Sequence, residues 1–357
     1  MKHFAAFIFL LISIHISAQT HEYLILEGKI DKYPALMQLF KTKNPETGGF
    51  YYMGNYWYPS QEIPVAVSQE AADDPKTLLM LTWNEDENQQ EFFSGTLEKG
   101  TYKGTWTKGN KKLPFELKTV SDARYTTLVY RDAERKVKLK TGDEEIAGNS
   151  FYGFYLPRDL AFQKEFMQKI DPEYTDFDSW SSMRLKEFET DYKNEVQQMM
   201  KDTPELPSFA LNYEFMEEIY PFLNAENYLV MTHSVYQYTG GAHGISAEAY
   251  YTYDKRQKKW LEIGDVLNLD KFQEINKVLD KAVRKQYNIK DGIPLQNADA
   301  GIFIVDEITY SENFTLSKKG ITFHYGLYEL TPYVHGYFSQ FVSYEDLKSY
   351  LKKGFKY

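Results

Sequence analysis

Tyr228-Leu229-Val230-Met231-Thr232-His233-Ser234-Val235-Tyr236-Gln237-Tyr238, closed by Thr239-Gly240-Gly241-Ala242-His243-Gly244, decides the class of fold. The first run is dense in β-branched and aromatic residues and reads as one long strand. Gly240-Gly241 admits backbone conformations closed to other residues, which suits a sharp reversal. Glu248-Ala249-Tyr250-Tyr251-Thr252-Tyr253-Asp254 then reads as the returning strand. Downstream, Trp260 to Leu267 leads into a helix over 270–287, whose Phe272, Ile275, Val278, Leu279, Ala282 and Val283 share a face. Closing strands are expected at 302–305, 314–316, 321–325 and 338–342, with a helix opening at Tyr344. Upstream lie a strand at 209–215, strands at 125–130 and 137–140, and two helices. One helix has Leu160, Phe162, Phe166 and Ile170 at helical spacing and stops at Asp171-Pro172. The other is capped by Ser179, carries a core stripe through Met183, Phe188, Tyr192, Val196 and Met199, and ends at Pro204 and Pro207.

Between Glu22 and Val120 the pattern changes to short apolar alternations broken by glycine and polar turns. Strands are expected at 23–30, 35–40, 78–83, 92–97, 100–106 and 113–117. Residues 49–53 and 56–58 are expected to form an aromatic hairpin around Gly54-Asn55, a dipeptide suited to positive φ. Strands at this spacing without intervening helices indicate a sandwich or small barrel. The fold class is therefore α+β: an N-terminal all-β antiparallel barrel or sandwich, then antiparallel sheets packed with helices. The expected divisions are 1–18, 19–120, 121–244 and 245–357.

Residues 1–18 read as a cleavable signal peptide, with Lys2 and His3 before an apolar run that ends at Ser17-Ala18. That run is too short to span a bilayer, which takes about 20 residues. The expectation is a periplasmic or extracellular protein with no membrane span after cleavage. The chain has no cysteine, which removes thiol nucleophiles, thiolate metal sites and disulfides together. Its net charge of -10 is concentrated in residues 121–230, where 22 acidic side chains face 13 basic ones. Such a field opposes nucleic acid and anionic lipid and steers basic partners inward.

Beyond the strand and corner, Trp260-Leu261-Glu262-Ile263-Gly264-Asp265-Val266-Leu267, Asn313-Phe314-Thr315-Leu316 with Gly320, Tyr328-Glu329-Leu330-Thr331-Pro332-Tyr333 and Tyr344-Glu345-Asp346-Leu347 recur in a known order. Residues 250–351 resemble the RsiV-like C-terminal domain family, whose best-understood member is an anti-sigma factor that binds lysozyme outside the membrane. Residues 121–244 resemble the non-catalytic N-terminal module of the peptidoglycan deacetylase PdaC. The Gly-Thr-Trp and Gly-Phe-Tyr-Tyr turns of the first third are loosely similar to β-rich modules of exported Bacteroidetes proteins. A signal peptide and a β-rich module stand where the anti-sigma factor has a cytoplasmic segment and a transmembrane helix. The resemblance therefore implies an extracytoplasmic binding unit and no sigma-factor role. It implies as partner a lysozyme-like protein or a peptidoglycan fragment.

The candidate binding residues are Tyr238, Gly240, Gly241, His243, Tyr325, Tyr328, Glu329 and Tyr333. Gly240-Gly241 is explained by a strand reversal or by a backbone-lined ligand contact. His243 either hydrogen-bonds across the corner or shares a metal with His233. A zinc site needs three or four converging ligands with a clear spacing, and none is seen, so no metal or cofactor is expected. Tyr325, Tyr328 and Tyr333 are expected to flank Glu329 on a strand. A carboxylate there suits sugar binding, or a buried charge satisfied by backbone donors near Pro332. No catalytic residue is assigned: no spacing selects a glycosidase carboxylate pair, and no Gly-x-Ser-x-Gly elbow is present. A non-enzymatic envelope-binding protein is the leading reading. A glycan hydrolase using Glu329 and a structural periplasmic scaffold are the alternatives.

Overall fold

The computed structural model describes residues 21–43, 49–72, 74, 76–82, 89–141, 143–203, 205–299 and 301–357. The segment expected as a signal peptide, Trp83 and Pro204 lie outside the described residues.

Eight strands form the first unit: β1 (His21–Ile30), β2 (Tyr33–Lys43), β3 (Phe50–Trp57), β4 (Val65–Glu70), β5 (Leu78–Leu81), β6 (Glu91–Glu98), β7 (Thr101–Lys108) and β8 (Lys111–Thr119). Each pairs antiparallel with the next, and β8 returns to β1, so the sheet closes into a barrel. Closure removes the exposed edges that an open sheet of this length would carry. Inward-facing Leu26, Met37, Leu39, Met80, Phe93 and Leu117 fill the interior. Tyr102 is buried among them, and its hydroxyl donates to the carbonyls of Leu78 at 2.9 Å and Phe93 at 2.7 Å. At one end Glu91 accepts from Tyr56, from Trp106 Nε1 at 3.0 Å and from Lys108 Nζ at 3.1 Å.

The hairpin expected around Gly54-Asn55 is instead a single strand, β3. A Cβ on Gly54 would lie 1.9 Å from the Gln38 carbonyl oxygen of β2. Glycine is there to let two twisted strands approach, and makes no turn.

A six-stranded sheet follows, made of β9 (Leu128–Thr141), β10 (Glu144–Pro157), β11 (Tyr213–Asn224), β12 (Tyr228–Tyr238), β13 (Ile245–Asp254) and β14 (Lys259–Leu261) in the order β14-β13-β12-β11-β10-β9. The two charged strands expected at 125–130 and 137–140 are one strand, β9, joined to β10 along fourteen paired positions. The sheet is mixed: β10 and β11 run parallel. Parallel neighbours need a crossover, supplied by helices α1 (Leu160–Ile170) and α2 (Phe177–Asp202). Asp159 caps α1, and Asp176, three residues before the expected cap Ser179, caps α2 by accepting from the Ser179 amide at 2.8 Å. Phe166, Met167, Phe177 and Trp180 of these helices cover one face of the sheet, where Phe154, Ile219 and Met231 point.

Short α3 (Ile263–Val266) precedes α4 (Phe272–Tyr287), β15 (Phe314–Leu316), β16 (Gly320–Tyr325), β17 (Phe338–Ser343) and α5 (Tyr344–Leu347). Ile275, Leu279 and Val283 of α4 are buried against the small sheet β15-β16-β17, whereas Phe272 is exposed. Residues 302–305, expected as a strand, are irregular and enter a bend at Ile304, whose amide donates to Leu330 O at 2.9 Å. Among the described residues no helix is long and apolar enough to cross a membrane.

The barrel is docked against the rest by packing and by polar contacts. Ile25, Leu36 and Trp57 join the core that contains Leu223, Tyr228 and Ile321. Pairing of β11 with β12 slips between Pro221 and Leu223, a bulge that frees backbone carbonyls from the ladder. Buried Gln38 of β2 donates to Pro221 O at 2.8 Å and Phe222 O at 2.9 Å, and Asn55 of β3 adds a bond to Phe222 O at 3.0 Å. Tyr23 completes the set by donating to Gln38 Oε1 at 3.0 Å. At a second point Lys318, just after β15, pairs with buried Glu62 at 3.0 Å and donates to Pro59 O at 2.9 Å.

Candidate functional site

Docking leaves a cleft of about 730 Å³ between the outer wall of the barrel and the sheet face that the helices leave bare. That volume falls in the range of small-molecule sites, about 300–1,000 Å³. Its floor follows from strand register. Glu218 of β11 pairs with Ser234 of β12, which pairs with Glu248 of β13. One step along, Tyr220 pairs with Thr232, and Thr232 with Tyr250. Since side chains two residues apart share a face, both rows point the same way, into the cleft. Tyr155 of β10 and Tyr130 of β9, which pair with each other, extend the aromatic row. Phe40 of β2, with Tyr51 and Met53 of β3, faces it from the barrel. Tyr51 and Met53 stay largely exposed, at 42% and 49%.

The floor carries two carboxyls in a poorly solvated setting. Burial holds Glu218 above the ordinary carboxylate range. Burial also raises Glu248, opposed by a hydrogen bond that Tyr250 donates to it at 3.0 Å. Asn313, in the segment leading to β15, fixes the backbone here. Its side chain accepts from the Tyr250 amide and donates to Glu248 O, both at 2.8 Å. Behind Tyr250 the His324 ring stacks at 4.1 Å and contacts Thr315 Oγ1 at 3.0 Å and Ser339 Oγ at 2.8 Å. Burial pushes the His324 pKa down to about 3, so this ring is a neutral backing for the site. Tyr155, 6% exposed, has a hydroxyl with no hydrogen-bond partner among the described residues.

The residues singled out by sequence gather elsewhere, in part. Gly240 and Gly241 take φ of +85° and +97° at the corner, and a Cβ on Gly240 would lie 2.3 Å from Ala210 O. Tyr238 closes the corner by donating to Gly241 O at 3.1 Å. His243 stacks on Tyr333 at 4.4 Å, Tyr333 donates to Gly244 O at 3.1 Å, and Tyr328 lies 5.7 Å from the Tyr333 ring. The two sequence motifs therefore meet in space, in an exposed cluster. Tyr325 does not join it: its ring is in the core and its hydroxyl donates to Thr309 O at 2.5 Å.

The strand expected to present Tyr328, Glu329 and Tyr333 ends at Tyr325; a turn and a 3-10 helix (Tyr333–His335) replace it. Glu329 is exposed in that turn, which removes the buried-charge reading. His233 is bound to Glu217 at 2.7 Å and Tyr251 at 3.4 Å, apart from the His243 cluster. Among the described residues no group of three or more histidines or carboxylates is placed to hold a metal ion. None of the eight candidate residues lines the cleft.

With fold and cleft defined, similarity to known proteins bears on the fold. Residues 264–345, from α3 into α5, match the family model described as "Protein of unknown function (DUF3298)", so the chain carries a DUF3298 domain there. A crystal structure of a DUF3298 family member from Bacteroides fragilis is similar at a TM-score of 0.53 and 22% identity, covering 64% of this chain and 95% of that one. It shows a shared fold. A DUF3298 family protein from Pseudomonas aeruginosa PAO1 gives a TM-score of 0.43 at 14% identity, covering 64% and 97%. None of the curated proteins matches the chain.

Proposed function

We propose that this is an exported cell-envelope binding protein whose ligand, a peptidoglycan fragment, is held in the cleft between barrel and sheet. The observation that supports it most is the cleft itself: about 730 Å³, floored by a tyrosine row beside two half-buried carboxyls. Tyrosine offers a flat apolar body with a polar rim, which suits a sugar ring that has apolar faces and hydroxyl edges. The Tyr155 hydroxyl beside the cleft is buried without a partner, which costs about 1–3 kcal/mol. The resemblance to envelope-facing domains and the signal-like N-terminus support the location. Calorimetric titration of residues 19–357 with soluble muropeptides is the test. Saturable heat supports the reading, and silence across millimolar ligand contradicts it.

A protein partner is a second reading, favoured by the corner cluster, where Tyr328 and Val334 are 51% and 83% exposed beside His243 and Tyr333. Exposed aromatic anchors of this kind often dominate protein interfaces. Under it, lysozyme binds with a salt-weakened affinity, and replacing Tyr328 and Tyr333 by alanine lowers that affinity about tenfold or more. Muropeptide affinity is unchanged in the same variant.

A further inference from the structure

We propose that the cleft selects a ligand bearing an amine, with the carboxylates of Glu218 and Glu248 taking its ammonium group across Ser234 and tyrosine rings lining its approach. The inference rests on the reading of the cleft as the ligand site and names the chemical class that site takes. Register fixes the geometry: Glu218, Ser234 and Glu248 lie in one row on three adjacent strands. Their backbones at the two ends are thus about 10 Å apart, two interstrand spacings of about 4.8 Å. That gap admits one ammonium group between two carboxylates, with a small hydroxyl beneath it. Tyr155 and Tyr220 on one side and Tyr250 on the other supply the electron-rich faces that attract a cation.

The surrounding charges agree with a cationic guest. From the sheet, β9 brings Tyr130 and Asp132 to the same rows, β10 brings Tyr155, and β13 brings Tyr250, all neutral or acidic. Tyr337, ahead of β17, also lies near enough to feel the Glu248 charge. The barrel contributes Tyr51, with His21 and Lys43 as the cleft's basic side chains. Burial lowers the His21 pKa, opposed by the charge of Asp132. Among the described residues no lysine or arginine forms an ion pair with Glu218 or Glu248. Two carboxyls raised by burial and left without a cation are set to ionise when one arrives. Binding therefore releases protons, and affinity rises with pH until the ligand's own amine deprotonates.

Two envelope sources carry this chemistry: a glucosamine unit lacking its acetyl group, and the side-chain amine of a stem peptide. The experiment titrates the protein by calorimetry at pH 4.5, where carboxyls raised by burial still hold protons, and at pH 6, with glucosamine tetramer, with N-acetylglucosamine tetramer and with a lysine-containing stem peptide. Each titration is run in two buffers of different ionisation enthalpy. The expected result is at least tenfold tighter binding of an amine-bearing probe than of the acetylated tetramer, with net proton release. Glucosamine tetramer as the tight probe assigns the amine to the glycan, and the stem peptide assigns it to the peptide.

The Glu218→Gln, Glu248→Gln double variant, checked for an unchanged circular dichroism spectrum, should lose at least tenfold more affinity for the amine probe than for the acetylated tetramer. If the double variant does not fold, Glu248→Gln alone is read the same way, with about a threefold loss expected. Equal affinity for amine and acetylated tetramers without proton release overturns the amine inference while leaving the glycan reading intact. Silence with all three probes and with muropeptides overturns the glycan reading itself.

Discussion

The barrel interior and the cleft on the barrel's outer wall are built from the same residue types and do opposite things. Inside, Phe93, Met80 and Leu117 meet and fill the space, and the deep phenol of Tyr102 spends its hydroxyl on two backbone carbonyls. Outside, Tyr51 and Met53 face Tyr155, Tyr220 and Tyr250 across open space, and the Tyr155 hydroxyl is unpartnered. Eight strands give a barrel just wide enough for side chains to fill. The difference teaches that this barrel is a wall. Space for a ligand is left where two finished sheets fail to close on each other.

The largest expected effect lies on the barrel side of that comparison. Phe93→Ala removes a fully buried ring and should cost about 3–5 kcal/mol of unfolding free energy in a denaturant titration. Cleft affinity should be retained in the folded variant. A ligand lost from a folded Phe93→Ala protein would place the site inside the barrel and break the comparison.

Gln38→Leu acts on the seam. It strands the Pro221 carbonyl that the bulge leaves free, while Phe222 O keeps its bond from Asn55, at a cost of about 2 kcal/mol. Thermal unfolding should then separate into two transitions as the barrel undocks, and muropeptide affinity should fall with it. One transition with unchanged affinity would show that the seam does not shape the cleft.

Smaller still is the pH dependence carried by the cleft floor. Burial raises Glu218 above the ordinary 4.5, so the fold binds a proton there more tightly than the unfolded chain does. Its contribution to stability is complete below pH 4.5 and is lost as pH rises through the folded value. Glu218→Gln should therefore be more stable than the natural protein at pH 7, and the gain should vanish below pH 4.5. His324 works in the other direction. Its pKa is depressed to about 3, so its contribution is present above 6.5 and is lost as pH falls toward 3. Melting temperatures from pH 3 to 8 measure both.

The smallest effect belongs to the corner. Tyr328 sits at φ +64°, a left-handed conformation that strains a side chain, and is exposed. Tyr328→Ala should change stability by less than about 1 kcal/mol and leave cleft affinity alone.

The α+β class and most strands and helices were legible, because each is written in local periodicity. Where reading failed, a distant residue decided the outcome. Gly54-Asn55 has the chemistry of a turn, but the Gln38 carbonyl 1.9 Å from a Cβ on Gly54 explains the glycine, and β2 lies outside any local window. Residues 327–333 look like a strand, yet Tyr328 takes a positive φ and the chain turns. The corner and the Tyr333 segment were singled out on aromatic and glycine content, and they do meet, at His243 and Tyr333.

The cleft was missed, although its signal is present twice. Glu218-Ile219-Tyr220 and Glu248-Ala249-Tyr250 each put a carboxyl and a tyrosine on one face of a strand interior, where a charge needs a reason. What sequence does not contain is the register that sets both pairs on either side of Ser234 and Thr232, or the barrel that covers them.

The most direct test of the central claim is calorimetric titration of Ser234→Trp with soluble muropeptides, since an indole at that position fills the space between Glu218 and Glu248. The account predicts a folded protein with no binding heat where the natural protein gives a saturable isotherm. An isotherm unchanged from the natural protein would contradict the placement of the ligand in the cleft.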